Sequence, residues 1–316
     1  MPVARFLLPA AGRFGAQRLS ARTASAIGRA DHAAGLDDGR RAQLMRHLAP
    51  GGGGWPIAAL SRQVDAGDAV GAAWLRADPA YLRPDLSGVR LMAHGDTLAV
   101  GADDVAALLP ALKPVFGDAG FLIDAPVPTR WYLRLPAATP LPAFPDPGEA
   151  LGADLAEQLD DASAAARRWR MLANESQIVL HNHPWNARRT ASGRVPVNAL
   201  WFWGGGSLPA VRNPGTRPSP AVYTDDATAH ALAAFAGASH ALPERYVPAT
   251  TPTIHDLVAL RDLARLDREW LQPALEALRQ GAIDALVLDA EDGHVATLRR
   301  WHRLRLWRRP LPALRP

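Results

Sequence analysis

The sequence predicts an α/β protein in which a mixed sheet with its helices is interrupted by an inserted α+β subdomain. Three observations predict it. Strand-like and helix-like patterns alternate at both ends of the chain, the material between is β-rich, and proline- and glycine-rich stretches punctuate the junctions. The chain has 316 residues and 48% hydrophobic content, enough for one large α/β domain or two smaller ones. No apolar run approaches the ~20 residues of a membrane-crossing helix.

In chain order, Ala4–Leu8 reads as the first strand. Helical patterning follows through Arg18–Leu48, then the glycine run Gly51–Gly54 and a second helix from Ile57 to Leu75. After Asp78-Pro79 the texture changes. Tyr81–Arg83 and Val89–Ala93 flank the turn-forming Pro84-Asp85-Leu86-Ser87-Gly88 and read as a β-hairpin. Val105–Leu109 is helical in pattern, and Phe121–Asp124 and Trp131–Leu135 are strand-like. Five prolines from Pro136 to Pro147 exclude regular structure there. Glu149–Leu172 is expected as a helix, acidic early and arginine-rich late, a polarity that suits the helix dipole. Trp201-Phe202-Trp203 is a buried strand with Leu200 and Phe202 on one side and the tryptophans on the other. A loop at Leu208–Pro220, helices at Asp225–Phe235 and Asp256–Gln280, a strand at Ala285–Leu288 and a basic terminal segment complete the chain.

Composition narrows the chemistry. Cysteine is absent, which excludes disulfides, thiolate metal sites and thiol nucleophiles. Lys113 is the sole lysine, so a P-loop lysine is excluded. The N-terminal MPVARFLLPAAGRFG has too short an apolar core for a signal peptide and suits a first strand instead. A cytoplasmic protein without membrane segments is the expectation.

The most informative stretch is NESQIVLHNHPWNARRTASGRVPVNALWFWGGG, Asn174 to Gly206. It concentrates His181, His183, Asn186, Arg188, Arg194 and Asn198 beside an aromatic strand and a glycine loop, the donor density an anion or phosphate site requires. On a strand His181 and His183 would point to one face, either sharing a metal or forming a hydrogen-bonded structural pair. Arg188, Asn186 and Asn198 fit either anion contact or a scaffold that locks the start of a core strand. Gly204–Gly206 lacks a following GK[ST] and carries little weight as a phosphate loop.

The run from His183 through Arg188 and Gly193 to Pro196-Val197-Asn198 and Gly204–Gly206 resembles a segment of archaeal-type cofactor-independent phosphoglycerate mutases. In its fuller form, with Trp74–Pro79 and the terminal Arg303–Arg309, the chain is similar to RpfE-type bacterial regulatory proteins. The resemblance implies an alkaline-phosphatase-like core, a mixed sheet with helices on both faces, formed by residues 1–75 and 196–316, with residues 76–195 as an inserted cap-like subdomain. It also implies two divalent metals, Mn or Zn, held by Asp and His, and a Ser or Thr nucleophile.

Against that pattern, the first strand ends Leu8-Pro9-Ala10-Ala11, and the first acidic residue of the chain is Asp31. The expected nucleophile turn, Gly51–Ile57, contains neither Ser nor Thr; Ser61 lies inside the following helix, where its hydroxyl would cap or face solvent. Late in the chain Asp289, Asp292 and His294 supply N/O donors for a hard cation, whereas Asp292-Gly293 equally suits a hairpin turn. The segment Arg299–Arg309 carries six arginines and two tryptophans. It is either a nucleic-acid patch or an amphipathic closing segment. Three functions follow: a degenerate, non-catalytic mutase-like protein with a regulatory or phospho-ligand-binding role, a metal-dependent phosphomutase or phosphatase with rearranged ligands, and a nucleic-acid-binding regulator. The first is preferred, with a small phosphorylated or anionic ligand as partner.

Overall fold

The computed structural model describes residues 2–50, 54–85, 88–151, 163–210 and 219–314. The chain forms two compact units, one built from 1–50 and 211–316, the other from 51–210. The mixed α/β architecture expected from the sequence is present.

The first unit holds a seven-stranded sheet of order β2-β12-β11-β1-β10-β8-β9. Its strands are β1 (Val3–Leu8), β2 (Asp31–Ala33), β8 (Ala221–Tyr223), β9 (Ser239–His240), β10 (Thr253–Asp256), β11 (Ala285–Ala290) and β12 (Val295–Arg299). β1 runs parallel to β10 and β11, and β12 turns back antiparallel on β11. Alternation along β1 sends Ala4, Phe6 and Leu8 into a core with Leu286, Leu288 and Trp270, while Leu7 points to the other face. α1 (Ala21–Gly28) and α10 (Gln272–Gln280) line the first face. α2 (Arg40–Leu48) and α8 (Ala227–Ala236) pack together, with Gln43 of α2 bonded to the ends of β1 and β11.

The second unit is built on an antiparallel sheet of β4 (Gly88–His94), β3 (Ala73–Asp85), β6 (Arg130–Leu135) and β5 (Leu122–Val127), with β7 (Ala199–Ser207) paired to β3. Ala73, Leu75 and Ala77 of β3 and Leu200 and Phe202 of β7 face a core shared with α4 (Ala102–Asp118) and α6 (Ala164–His181). The opposite face carries Trp74 and Tyr132 beneath α3 (Ile57–Ala66). Trp201 and Trp203 are buried and directed away from Phe202, as the alternation required.

Several expectations change. The helix expected over Ile57–Leu75 stops at Ala66, where Gly67 adopts φ +75 as its left-handed cap. Ala73–Leu75 then belongs to β3, the hub of the second sheet. The helical stretch Arg18–Leu48 divides into α1, β2 and α2. Asp256–Gln280 begins as β10, then continues as α9 (Leu263–Leu266), a π-turn at Asp267–Leu271 and α10. The helix placed at Glu149–Leu172 spans Ala164–His181, after a single turn α5 (Pro147–Ala150); residues 152–162 lie outside the described residues. So do most of the Gly51–Gly54 run, the centre of the Pro84–Gly88 turn and 211–218 of the Leu208–Pro220 loop. The unit boundaries fall at 50/51 and 210/211, not at 75/76 and 195/196, because α3 and β7 both pack on β3.

Candidate functional site

In the first unit polar side chains converge where β1, β10 and β11 end, the edge at which open α/β sheets commonly bind ligands. Leu7 of β1 is in register with Asp256 on one side and Asp289 on the other, which sets both carboxylates level on one face. α2 presents Arg40, Gln43, Arg46 and His47 to them; spacings of three, six and seven share one helix face. Arg40 donates to Asp256 at 2.5 Å, and Thr224 Oγ1 donates to the same oxygen at 2.7 Å. Arg46 forms a bidentate pair with Asp289, Nη2 to Oδ1 at 2.6 Å and Nε to Oδ2 at 3.0 Å. His47 Nε2 lies 2.7 Å from Asp289 Oδ2. Gln43 Nε2 donates to the carbonyls of Leu8 and Asp289. One helix thus ties β1, 35 positions away, to β10 and β11, 216 and 243 positions away.

Burial pushes the Asp289 carboxyl up, but hydrogen bonds from His47 and Arg46 outweigh it and hold the group below the usual carboxylate range. Glu291 behaves oppositely. Its burial raises it above the ordinary value, only partly offset by the charge of Arg40 and by the Ala10 amide. Just past β1, Ala10 and Ala11 contribute backbone amides to Glu291 and Asp292 and no side-chain ligand.

The predicted metal set does not assemble. Both oxygens of Asp289 are held by Arg46 and His47. Asp292 accepts the Ala11 amide at 3.0 Å and opens the turn between β11 and β12, where Gly293 has φ +74. A Cβ at Gly293 would lie 2.2 Å from the Leu36 carbonyl, so this turn requires glycine. His294 stacks on His32 with 5.1 Å between ring centroids. Oδ1 of Asp256 and of Asp292 remain buried acceptors without a partner. Among the described residues no group of three or more His, Asp or Glu side chains could hold a metal ion. At Asp256 and Asp289 guanidinium groups occupy carboxylate oxygens that a Mn or Zn ion would need, and Asp292 is turned to the Ala11 amide.

The six residues marked as anion contacts lie in the second unit, where four of them bond to its backbone or to Asp104. His181 and His183 are not on a strand. His181 ends α6, exposed, and His183 caps α7 (Pro184–Ala191) by accepting the Trp185 amide at 3.2 Å. The prolyl ring at N1 and the capping imidazole start a helix where period-two reading placed a strand. Asn186 bonds the Leu180 carbonyl and both backbone groups of Val197. Asn198 pairs with the amide and carbonyl of Leu82 at 2.8 Å each. Arg194 donates to Asp104 at 3.1 Å. Arg188 is exposed, its guanidinium 5.3 Å from the Trp185 ring centroid.

Asp104 is the organiser that the sequence reading missed. Buried near the N-terminus of α4, it accepts from the Gly101 amide, Trp185 Nε1, Arg189 Nη1 and Arg194 Nη1. Arg189, fully buried, also donates to the carbonyls of Leu98 and Val195. The second omission is the arginine pair of α2. Its signal was present as Arg40 and Arg46 on one face of a helix, but their carboxylates could not be assigned without the sheet. Ser61 is buried, donating to the Ile57 carbonyl at 2.7 Å and accepting from Arg76 at 3.2 Å. Arg76 in turn pairs bidentately with Asp78, to which Trp203 Nε1 donates.

No family model matches the chain. Two curated relatives match it locally. A probable 2,3-bisphosphoglycerate-independent phosphoglycerate mutase of Geobacter sulfurreducens is 40% identical over 63 residues, 20% of this chain and 16% of that protein. The corresponding mutase of Methanosarcina barkeri is 50% identical over 38 residues, 12% of this chain and 10% of that protein. The matches therefore span less than a fifth of either relative. Among solved structures, a cofactor-independent phosphoglycerate mutase from Thermoplasma acidophilum superposes with TM-score 0.43 at 15% identity, covering 94% of this chain and 89% of that one. A protein from Pyrococcus horikoshii superposes with TM-score 0.48 at 10% identity, over 93% and 86%. The chain is thus similar in local sequence to phosphoglycerate mutases. Among the described residues no helix is long and apolar enough to cross a membrane.

Proposed function

We propose that the chain is a non-catalytic, phosphoglycerate-mutase-like protein with a regulatory, phospho-ligand-binding role, of the kind its resemblance to RpfE-type regulators implies. The observation that carries this reading is the pair of guanidinium clamps at the strand ends, Arg40 on Asp256 and Arg46 on Asp289. Metal-assisted phosphoryl transfer needs carboxylate oxygens open to a cation and a nucleophile made reactive beside it. Here the cationic charge is supplied by the protein itself, the chain leaves β1 through Pro9 and two alanines, and the Ser61 hydroxyl is spent inside the fold. Binding of an anion needs only donors and positive charge. Within the predicted set, Arg188 is exposed and paired with no carboxylate among the described residues, so it is the contact we assign to such a ligand.

The test is a mutase assay with 3-phosphoglycerate in the presence of Mn²⁺, run beside calorimetric titration of 3-phosphoglycerate and inorganic phosphate. The expected outcome is weak binding, reduced in Arg188→Ala, with no turnover. Turnover well above background that Asp289→Ala or His294→Ala abolishes would overturn the reading.

A further inference from the structure

As an amphipathic closing segment, one of its two readings, the terminal basic stretch would dock its tryptophans and leucines on the core while its arginines face water. The structure inverts half of that expectation. Trp301 is 52% exposed, Leu304 67%, Leu306 74% and Trp307 76%, four large apolar groups within seven residues. Arg300, Arg303, Arg308 and Arg309 are exposed around them, paired with no carboxylate among the described residues. The segment is nevertheless fastened to the first unit. Arg305 donates to Asp31 at 2.6 Å and to the Arg29 carbonyl at 3.2 Å, and His302 is buried beside Asp31. The Arg309 carbonyl packs against Gly28 so closely that a Cβ there would sit 2.1 Å from it. The apolar groups are therefore held outward by a fixed backbone.

Beside this band lies a cleft of about 280 Å³. Its floor is apolar, from Leu275, Leu278 and Leu298, and Arg300 and Arg303 stand at its edge. An apolar floor with a cationic rim next to protruding Trp and Leu matches a surface that is anionic outside and hydrocarbon beneath. Tryptophan favours that boundary, arginine reaches up to phosphate from it, and leucine inserts below it.

We propose that this face docks peripherally on an anionic lipid bilayer, with Trp301, Leu304, Leu306 and Trp307 entering the interface and a phosphodiester headgroup held by Arg300 and Arg303. Single-stranded nucleic acid fits less well. The Trp301 ring is engaged by the Arg305 guanidinium at 4.5 Å and by the edge of His302 at 4.1 Å, and Leu304 and Leu306 offer no stacking face. Lying on a membrane does not require a crossing helix, so the absence of one among the described residues is compatible with it.

The test is co-sedimentation of the full chain with phosphatidylglycerol-rich vesicles and with phosphatidylcholine vesicles, at low and high salt. Binding is expected only to the anionic vesicles and weakens as salt rises. Arg300→Gln/Arg303→Gln should lower the affinity by about fivefold per arginine. Trp301→Ser/Trp307→Ser should lower it by at least tenfold, and Arg18→Gln, exposed elsewhere on the unit, should leave it unchanged. Because all the altered side chains are exposed, Trp301 less so than Trp307, each variant is required to melt with the parent; Trp307→Ser alone serves if the double variant does not. Equal binding to neutral vesicles, no binding to either, or capture of a single-stranded oligonucleotide in place of vesicles would each overturn the proposal.

Discussion

Replacing Arg46 by Met is the most direct probe of the strand-end assembly. Asp289 is 1% exposed and receives three side-chain contacts, two from Arg46 and one from His47. Arg46→Met keeps the aliphatic stem and removes two of the three. Breaking a buried pair by deleting one partner costs about 3–5 kcal/mol, since the remaining charge loses its compensation. At about 2–4 °C per kcal/mol for a unit of this size, the melting transition should fall by roughly 6–20 °C. The penalty also has a pH signature. In the parent the Asp289 carboxyl is depressed, so it contributes stability above the unfolded carboxylate value of about 3.9 and loses it as pH falls through the lower folded value. In Arg46→Met the His47 contact remains but burial is opposed by less, so the carboxyl sits higher than in the parent. The folded variant then takes up a proton as pH falls, and its deficit relative to the parent shrinks from pH 7 toward pH 4. Urea unfolding of both proteins at several pH values measures this. Pairing Arg46→Met with Asp289→Leu should recover most of the loss, because an apolar pair carries no uncompensated charge. A single variant that unfolds like the parent at pH 7, or a deficit independent of pH, would refute the reasoning.

Two further predictions concern buried polar groups. Asp104→Asn should destabilise by about 3–5 kcal/mol, leaving the fully buried Arg189 without its carboxylate, whereas Arg194→Ala, half exposed on the same carboxylate, should cost within about 1 kcal/mol; denaturant midpoints compare them. His255, buried among Phe6, Tyr223 and Trp270, is lowered by burial to about 4, below its ordinary 6.5. Its unfolded form therefore takes a proton first, and stability should drop by about 3 kcal/mol as pH falls from 6.5 to 4, a slope that His255→Phe should remove from the pH series.

Much of the architecture was legible because it is written in local periodicity. β1, the Trp201–Trp203 strand with its two faces, and the helix before β11 follow from which residues alternate or recur every third and fourth position. The turn at Asp292-Gly293 followed from the one residue type that accepts its backbone angle. Tyr81–Arg83 of β3 was read as a hairpin strand, but the first half of β3 escaped because Arg76 and Asp78 interrupt its apolar pattern. They are tolerated inside a sheet only because they pair with each other and with Trp203, a fact set by β7 more than 100 positions later. The His181–His183 region was misassigned for a related reason, since a capping imidazole and a strand imidazole look alike until the helix that follows is placed.

The sequence by itself determined which chemistry the chain can draw on. It has no thiol, a single lysine, an abundance of arginine, a first strand ending without a carboxylate, and a motif shared with phosphoglycerate mutases. Only the tertiary structure decided how those arginines are used. A guanidinium has the same composition whether it meets solvent, a ligand or a buried carboxylate, and its energetic role depends on what stands opposite it. Arg46 and Asp289 are 243 positions apart, Arg189 and Asp104 are 85 apart, and no local pattern pairs them. Folding brings each together around a buried carboxylate, and that desolvation turns an arginine-rich composition into fixed internal ion pairs, leaving Arg188 and the terminal segment to face outward.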